Sequence, residues 1–340
     1  QGQVSSSFLQ LYLLHYLKCR TITKNCIMKF ADKLPILRNL IIDTLNPLIG
    51  KEYVLVDCPY HSNIGDQLIW EGEKSFLKEY NRKCLSYSSR DFFNFPELGR
   101  EVTILFHGGG NLGNLYREHF DFLCSIMDQY SRNRIVIFPQ TIFYSNPHLC
   151  LEDVARLNRH ADLHFCIRDE KGFRQMKKIG LRNVYLLPDM AFCIPLHRLS
   201  CVLDMPTKGS LYLKRVDKEL LADTVDFNAD YIKDWPTFEG RLFDGIFFAK
   251  VLNKLATLRI PFSVGIWNRY ADTVYRKKLI DIGRDFINSY DPIVSTRLHA
   301  IILALMCGKS VTAVDNSYGK ISEFVKTWLS DVEEITMINK

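Results

Sequence analysis

Arg297 and His299 sit two positions apart in Ser295-Thr296-Arg297-Leu298-His299-Ala300, at the entry to an apolar stretch. A permanent cation, an ionisable imidazole and the positive end of a helix together suit a phosphate or a carboxylate. A lone histidine at a helix start is ordinarily structural, but a second polar segment, Asp315-Asn316-Ser317-Tyr318-Gly319-Lys320, follows the next strand and adds Ser317 and Lys320. His107-Gly108-Gly109-Gly110-Asn111-Leu112-Gly113-Asn114 offers different chemistry. Three consecutive glycines let a backbone come close to a ligand and turn N–H groups towards an anion, whereas a tight turn alone needs only one or two. The run is neither G-x-G-x-x-G followed by a ribose-binding acid nor G-x-x-x-x-G-K-[ST], which excludes conventional dinucleotide and P-loop sites. In Tyr60-His61-Ser62-Asn63-Ile64-Gly65-Asp66, Asn63 and Gly65 permit unusual torsions, and Asp66 can cap the helix that follows, reach a substrate, or do both. Phe138-Pro139-Gln140-Thr141 and Arg168-Asp169-Glu170 are weaker signals, the latter also readable as a surface pair or a helix start.

These segments fall where apolar strands end. Short β-branched or apolar runs at 53–56, 102–106, 134–138, 164–168 and 183–189 alternate with helical patterns at 66–80, 116–130, 151–160 and 170–179. Continuous apolar strands separated by helices are the pattern of a parallel sheet covered on both faces. A second alternation follows a Pro- and Gly-containing stretch: strands at 210–215, 261–267, 292–295 and 310–315, helices at 243–258, 272–286 and 298–307. The expected fold is therefore α/β, with two Rossmann-like halves whose strand ends enclose a ligand cleft. The boundaries are an N-terminal helical segment 1–50, a first domain 51–195, a linker 196–209 and a second domain 210–340. No internal sequence repeat is visible.

The chain of 340 residues is 47% hydrophobic and 24% charged, which excludes a disordered or collagen-like protein. Its net charge of +6 is far short of a nucleic-acid coat and fits an anionic small substrate or a membrane surface. The ten cysteines lack framework spacing, no C-x-x-C pair occurs, and no histidine accompanies them at zinc-site spacing. They read as reduced core thiols, which places the chain in a reducing, cytoplasmic compartment, with no metal expected. The apolar run Phe8–Leu17 is too short to span a bilayer, which takes about 20 residues, and it lacks the flanks of a signal peptide. Residues 1–50 nonetheless carry +4 of the net charge beside that run. A peripheral membrane contact through residues 8–38, at the inner face, is one expectation; packing of this segment against the first domain is the other.

YHSNIGD, HGGGNLGN, FPQT, IRDE, LPDMAF, STRLHA and DNSYGK, in this order and at this spacing, resemble the polysaccharide pyruvyl transferase family from about Val54 to Phe324. The resemblance implies a GT-B-type fold with two domains across a cleft and N-terminal helices, in agreement with the tandem halves read from periodicity. It implies transfer of the enolpyruvyl group of phosphoenolpyruvate onto two hydroxyls of one sugar, in exopolysaccharide or capsule synthesis, with release of phosphate and no cofactor beyond that donor. Arg297, Leu298 and His299 match the family's donor-binding Arg-Leu-His. Arg215 matches its Arg-x-Asp element through Lys214-Arg215-Val216-Asp217. Arg168, Ser317 and Lys320 complete the expected donor set, because the trianionic donor needs several cations and N–H groups.

The chemistry implied needs at least one acid and one base. His299 is expected to protonate the donor or the departing phosphate, and Asp66 and His61 to remove hydroxyl protons, with His107 in reserve. Asn63, His107, Gly109, Gly110, Asn111 and Asn114 then face the acceptor, which the resemblance implies is a lipid-linked sugar or growing glycan. Tyr60, Tyr116, Trp267 and Tyr318 could stack on sugar faces or serve in the core. Two rival functions share the architecture: a GT-B glycosyltransferase with a nucleotide-sugar donor, and a glycan-binding protein without turnover.

Overall fold

The structure, a computed structural model, describes residues 27–114, 116–200, 207–217, 227–238, 244–315 and 319–338. Their strands form two parallel sheets. The first contains β1 (Glu52–Val56), β2 (Lys83–Ser88), β3 (Thr103–Phe106), β4 (Ile135–Gln140), β5 (Leu163–Ile167) and β6 (Val184–Leu186), in the order β2-β1-β3-β4-β5-β6. The second contains β7 (Leu211–Leu213), β8 (Tyr231–Lys233), β9 (Ile293–Ser295), β10 (Val311–Val314) and β11 (Ile335–Ile338), in the order β8-β7-β9-β10-β11. Both sheets are wound alike: the second strand lies outside the first, and the third crosses to the first strand's other side. The repeat that the sequence does not display is thus one of topology. In each sheet the winding reverses between its first and third strands, and open α/β sheets bind ligands beyond the carboxyl ends at such a reversal.

The helices of the first half are α1 (Phe30–Leu45), α2 (Ile64–Glu79), α3 (Arg117–Gln129), α4 (Pro147–Leu157), α5 (Glu170–Ile179) and the single turn α6 (Leu196–Leu199). Those of the second are α7 (Asp244–Thr257), α8 (Ser263–Tyr270), α9 (Arg276–Asn288), α10 (Leu298–Met306) and α11 (Lys320–Trp328). Strand alternation divides the core. Val54, Val56, Ile104 and Phe106 pack with Leu123, Ile126 and Val154 from α3 and α4. Leu55, Leu105 and Val136 face the other way and pack with Ile64 and Leu68 of α2. That second cluster continues through Met190 and Phe192 into Leu211, Leu279 and Ile301, so a single apolar mass joins the two sheets.

α1 belongs to this mass. Its Phe30, Leu34, Leu37 and Ile41 are buried, Arg38 donates to the backbone oxygens of Phe192 and Ile194, and Lys33 pairs with Asp331 at 2.6 Å. Within the 8–38 stretch expected at a membrane, the apolar stripe of 30–38 therefore faces protein, while residues 8–26 lie outside the described residues. Of the stretch expected as a linker, Leu199 is buried and residues 201–206 are not described.

One predicted element is corrected. Residues 261–267, expected as a strand, enter helix α8. Within it Ser263 and Trp267 are buried four residues apart, a helical spacing, and Ser263 Oγ donates to the backbone oxygen of Ile260 at 2.6 Å. Five of the named elements escape the sequence reading: β2, β8, β11, α11 and the single turn α6, which lies in the expected linker. β2 and β8 are edge strands of mixed polarity, without the apolar runs of the central strands.

Candidate active site

A cavity of about 450 Å³ opens where the carboxyl ends of both sheets meet. From the first sheet it takes His61, Asn63 and Asp66 after β1, and Gly110 and Asn111 after β3. From the second it takes Arg215 and Asp217 after β7, and Arg297, Leu298 and His299 after β9. Both winding reversals thus contribute to one cavity. Lys320, at the start of α11, also lines it, whereas Arg168, expected in the donor set, lies behind the wall.

The start of α2 is set by Asn63. Its side chain accepts the Gly65 N–H at 3.1 Å as the helix cap and donates to Asp66 Oδ2 at 2.7 Å. Asp66 is therefore not the cap; its carboxylate is held by Asn63, with His61 Nε2 at 3.7 Å. Burial pushes this carboxyl up, but His61, His299, His107 and Lys320 together outweigh it and hold Asp66 below its ordinary value. Gly65 is required by proximity: a Cβ there would lie 2.6 Å from His299 Nδ1.

His299 and Arg168 share one carboxylate, that of Asp189 at the end of the β6 segment. Asp189 Oδ2 accepts from Arg168 Nη1 and stands 3.3 Å from His299 Nε2. Its Oδ1 accepts the Ala191 N–H at 2.9 Å. Burial raises the Asp189 carboxyl, but His299, Arg168 and these hydrogen bonds prevail and hold it well below the usual carboxylate range. Arg168 is fully buried. Its Nε donates to Thr141 Oγ1 at 2.8 Å, while Nη2 has no hydrogen-bond partner. That orphaned nitrogen lies behind Gly110, where a Cβ would meet Arg168 Nη2 at 3.4 Å and Lys320 Nζ at 2.9 Å. Two cationic side chains thus converge on the Gly110 α-carbon, and a Cβ there would push the Lys320 ammonium aside.

The opposite wall is a paired network. Arg215 forks onto Asp217 at 2.7 and 3.0 Å. Arg297 binds Asp234 through Nε and, at 2.6 Å, through Nη2, which also reaches Asp217 at 3.1 Å. The Arg297 guanidinium lies 4.9 Å over the Phe238 ring, and Phe238 and Trp235 line the cavity beside it. Two arginines here are matched by two carboxylates, so this wall offers donors, acceptors and an aromatic face rather than bare positive charge.

Some predicted residues lie elsewhere. His107 is buried beneath the glycine loop, with Nδ1 2.9 Å from Glu73, which also accepts the Gly108 N–H. Burial pulls this imidazole down, but the Glu73 carboxylate raises it above its ordinary value. Gly109 joins the loop to β4 by accepting the Thr141 N–H at 2.8 Å. Asn114 turns to Ser145 at 2.6 Å and does not line the cavity. Ser317 and Tyr318 lie outside the described residues. Tyr60 and Trp267 pack on each other, with Trp70 and Phe92 against Tyr60, whereas Tyr116 lines the cavity.

Sequence reasoning missed Trp235, Phe238, Glu118 and His119 in the wall, and Asp189 and Asp234 behind it. Asp189 had a signal: it ends the apolar run Leu186-Leu187-Pro188 at a strand's carboxyl end. Among the described residues, no group of three or more His, Cys, Asp or Glu side chains is placed to hold a metal ion.

Comparison with known proteins bears on this site. A sequence profile described as polysaccharide pyruvyl transferase matches residues 63–318, which include most residues of the cavity wall, from Asn63 to His299, but not His61 or Lys320. EpsO of Bacillus subtilis, a candidate pyruvyl transferase by name, is 30% identical over 84% of this chain and 88% of its own. Pyruvyl transferase 1 of Schizosaccharomyces pombe is 24% identical over 82% of this chain and 70% of its own. A crystal structure of a functionally uncharacterised Klebsiella pneumoniae protein superposes with a TM-score of 0.60 at 18% identity, covering 89% of this chain and 99% of that one.

Proposed function

The chain belongs to the polysaccharide pyruvyl transferase family, and we propose that it moves the enolpyruvyl group of phosphoenolpyruvate onto two hydroxyls of one sugar, closing a cyclic pyruvate ketal. In this reading the two sheets are Rossmann-like domains of GT-B type, residues 51–195 and 210–340, facing across the cavity. The acceptor is a sugar of a polysaccharide or of its lipid-linked precursor, met at the inner face of the membrane. No cofactor takes part beyond the donor itself.

The observation that carries the proposal is the buried Arg168 with its unpartnered Nη2, converging with Lys320 on Gly110 beside His299. A buried guanidinium nitrogen without a partner is costly unless an anion supplies one. The donor's phosphate takes that place, with Lys320 and the first turn of α10 at Leu298–His299 adding charge and N–H groups. Arg168 comes from the first half, so the donor site draws on both sheets. Arg215 and Arg297, expected from sequence to bind the donor, are each already paired and instead fix the geometry of the facing wall, where Asp217 and Phe238 suit a sugar hydroxyl and a sugar face while Asp234 is buried behind Arg297.

The reaction follows from these positions. His299, oriented by Asp189, delivers a proton to the donor's methylene carbon, and the adjacent carbon becomes oxocarbenium-like. Asp66, kept ionised by its surroundings, accepts the proton of the first attacking hydroxyl, with His61 beside it. Phosphate leaves as its C–O bond breaks, and the second hydroxyl closes the ring. Of the two hydroxyl protons lost by the sugar, one balances that gained at carbon and the other departs with phosphate. The test is incubation with phosphoenolpyruvate and candidate glycans while free phosphate is measured. Acceptor-dependent phosphate release supports the reading; turnover of a nucleotide sugar, or binding of glycan with no turnover of either donor, overturns it.

A further inference from the structure

Helix α7 has two apolar faces. Ile246, Ala249, Leu252 and Ala256 are buried in the core between the sheets. On the opposite side Phe247 and Val251, continued by Leu258 just beyond the helix, repeat at helical spacing and stay exposed, with Phe248 alongside. The connection to α8 extends this surface. Ile260 is exposed, Phe262 is 88% exposed, and Ile266 and Val274 follow along α8 and the turn after it. Arg259 and Phe262 both adopt positive φ, at 54° and 64°. That region is unfavourable for bulky residues, and here it holds an aromatic ring out in solvent.

The exposed charge carried by residues 246–280 themselves has one sign, although Glu79 of α2 shares a groove with Lys277. Lys250, Lys254, Arg259, Arg269, Lys277 and Lys278 are all exposed, and among the described residues none of them forms a salt bridge. Between residues 246 and 280 the sole acid is Asp272, which is buried and paired with Lys74 and Arg276. Exposed apolar side chains of this number need a partner. A second copy is a poor one, because a two-fold contact would set the same cations against each other. An anionic bilayer matches both features: its acyl boundary accepts the rings and its phosphates accept the cations.

We propose that the α7–α8 hairpin docks the protein on an anionic phospholipid surface, with Phe247, Phe262 and Ile266 entering the headgroup–acyl boundary. The inference rests on this surface alone and is independent of the donor's identity. α7 begins shortly after Phe238, a cavity-lining residue, so docking would hold the site near the bilayer.

The test is flotation of the full chain with phosphatidylglycerol–phosphatidylcholine vesicles and with phosphatidylcholine vesicles alone, at low and high salt, with the solution mass measured in parallel. The wild type should float with the anionic vesicles only, and less at high salt. Phe262→Asp should lower partitioning by about tenfold, the loss expected for one immersed aromatic side chain. Lys250→Glu with Lys254→Glu should lower it further, at about fivefold or more per residue. Both sets change exposed side chains, so circular dichroism should match the wild type. The proposal fails if the wild type ignores anionic vesicles, binds neutral ones equally, or keeps its binding in Phe247→Asp/Phe262→Asp. It also fails if the wild type is a dimer that Phe262→Asp splits, because a second copy then covers this face.

Discussion

A Cβ on Gly65 would lie 2.6 Å from Nδ1 of His299, so the first turns of α2 and α10 meet at a residue without a side chain. The contact joins the two sheets at the point where Asp66 and His299 enter the cavity. Gly65→Ala should therefore act on catalysis more than on folding. Helix propensity favours alanine by roughly 1 kcal/mol, offsetting part of the clash. Displacing the imidazole by about 1 Å should lower kcat by about a hundredfold. Steady-state kinetics beside a thermal melt checks this; a variant with wild-type kcat would show that His299 needs no such placement.

Asp189→Asn should cost both stability and activity. It leaves Arg168 buried without its carboxylate, a loss of about 3–5 kcal/mol for a broken buried pair. The pH dependence has a definite sign. Because the folded-state value of Asp189 lies below the unfolded one, its contribution is complete above the unfolded value of about 4 and is lost as pH falls through the folded one. Urea titrations between neutral pH and pH 2 should show a shallower acid loss in Asp189→Asn than in the wild type. Parallel curves would remove Asp189 from that role.

Arg168→Lys retains the charge but loses the fork that spans Thr141, Asp189 and the unpartnered Nη2. A charge-assisted hydrogen bond is worth about 1.5–3 kcal/mol. The KM for phosphoenolpyruvate should rise by about 10- to 150-fold, measured as initial rates of phosphate release at saturating acceptor. An unchanged KM would place the donor elsewhere in the cavity.

Asp66→Asn keeps the bond from Asn63 feasible while removing the proton acceptor. It should lower kcat by about 10²- to 10⁴-fold and leave donor affinity within about twofold. Asp66 is held below its ordinary value, so in the wild type it should not set an acidic limb of kcat above about pH 4. Donor binding by calorimetry and kcat against pH separate these effects.

The fold was legible where burial is strongest. Strands β1, β3, β4 and β5 are covered on both faces, so their sequences are dominated by apolar residues, with His164 of β5 the one interruption inside a run. β2 escaped because an edge strand can carry Lys83, Ser86 and Ser88. Residues 261–267 misled because a short apolar run has no decisive period. At the site, strand-end clusters led to most of the cavity wall, since parallel sheets deliver polar residues to their carboxyl ends. What sequence could not supply was pairing. Nothing in the chain order says that Asp234 and Asp217 occupy the forks of Arg297 and Arg215, or that Arg168 keeps an orphaned nitrogen. His107 reads like a site residue from its neighbours, yet Glu73, on the helix after β1, claims it for the interior.

The central claim is transfer of an enolpyruvyl group with protonation at carbon. The direct measurement is the reaction run in heavy water with phosphoenolpyruvate and a glycan acceptor, following phosphate and the mass and NMR spectrum of the sugar. The account predicts one phosphate released per ketal formed, with one solvent deuterium in the ketal methyl group. A ketal free of deuterium, or a modified glycan formed without phosphate release from phosphoenolpyruvate, would contradict it.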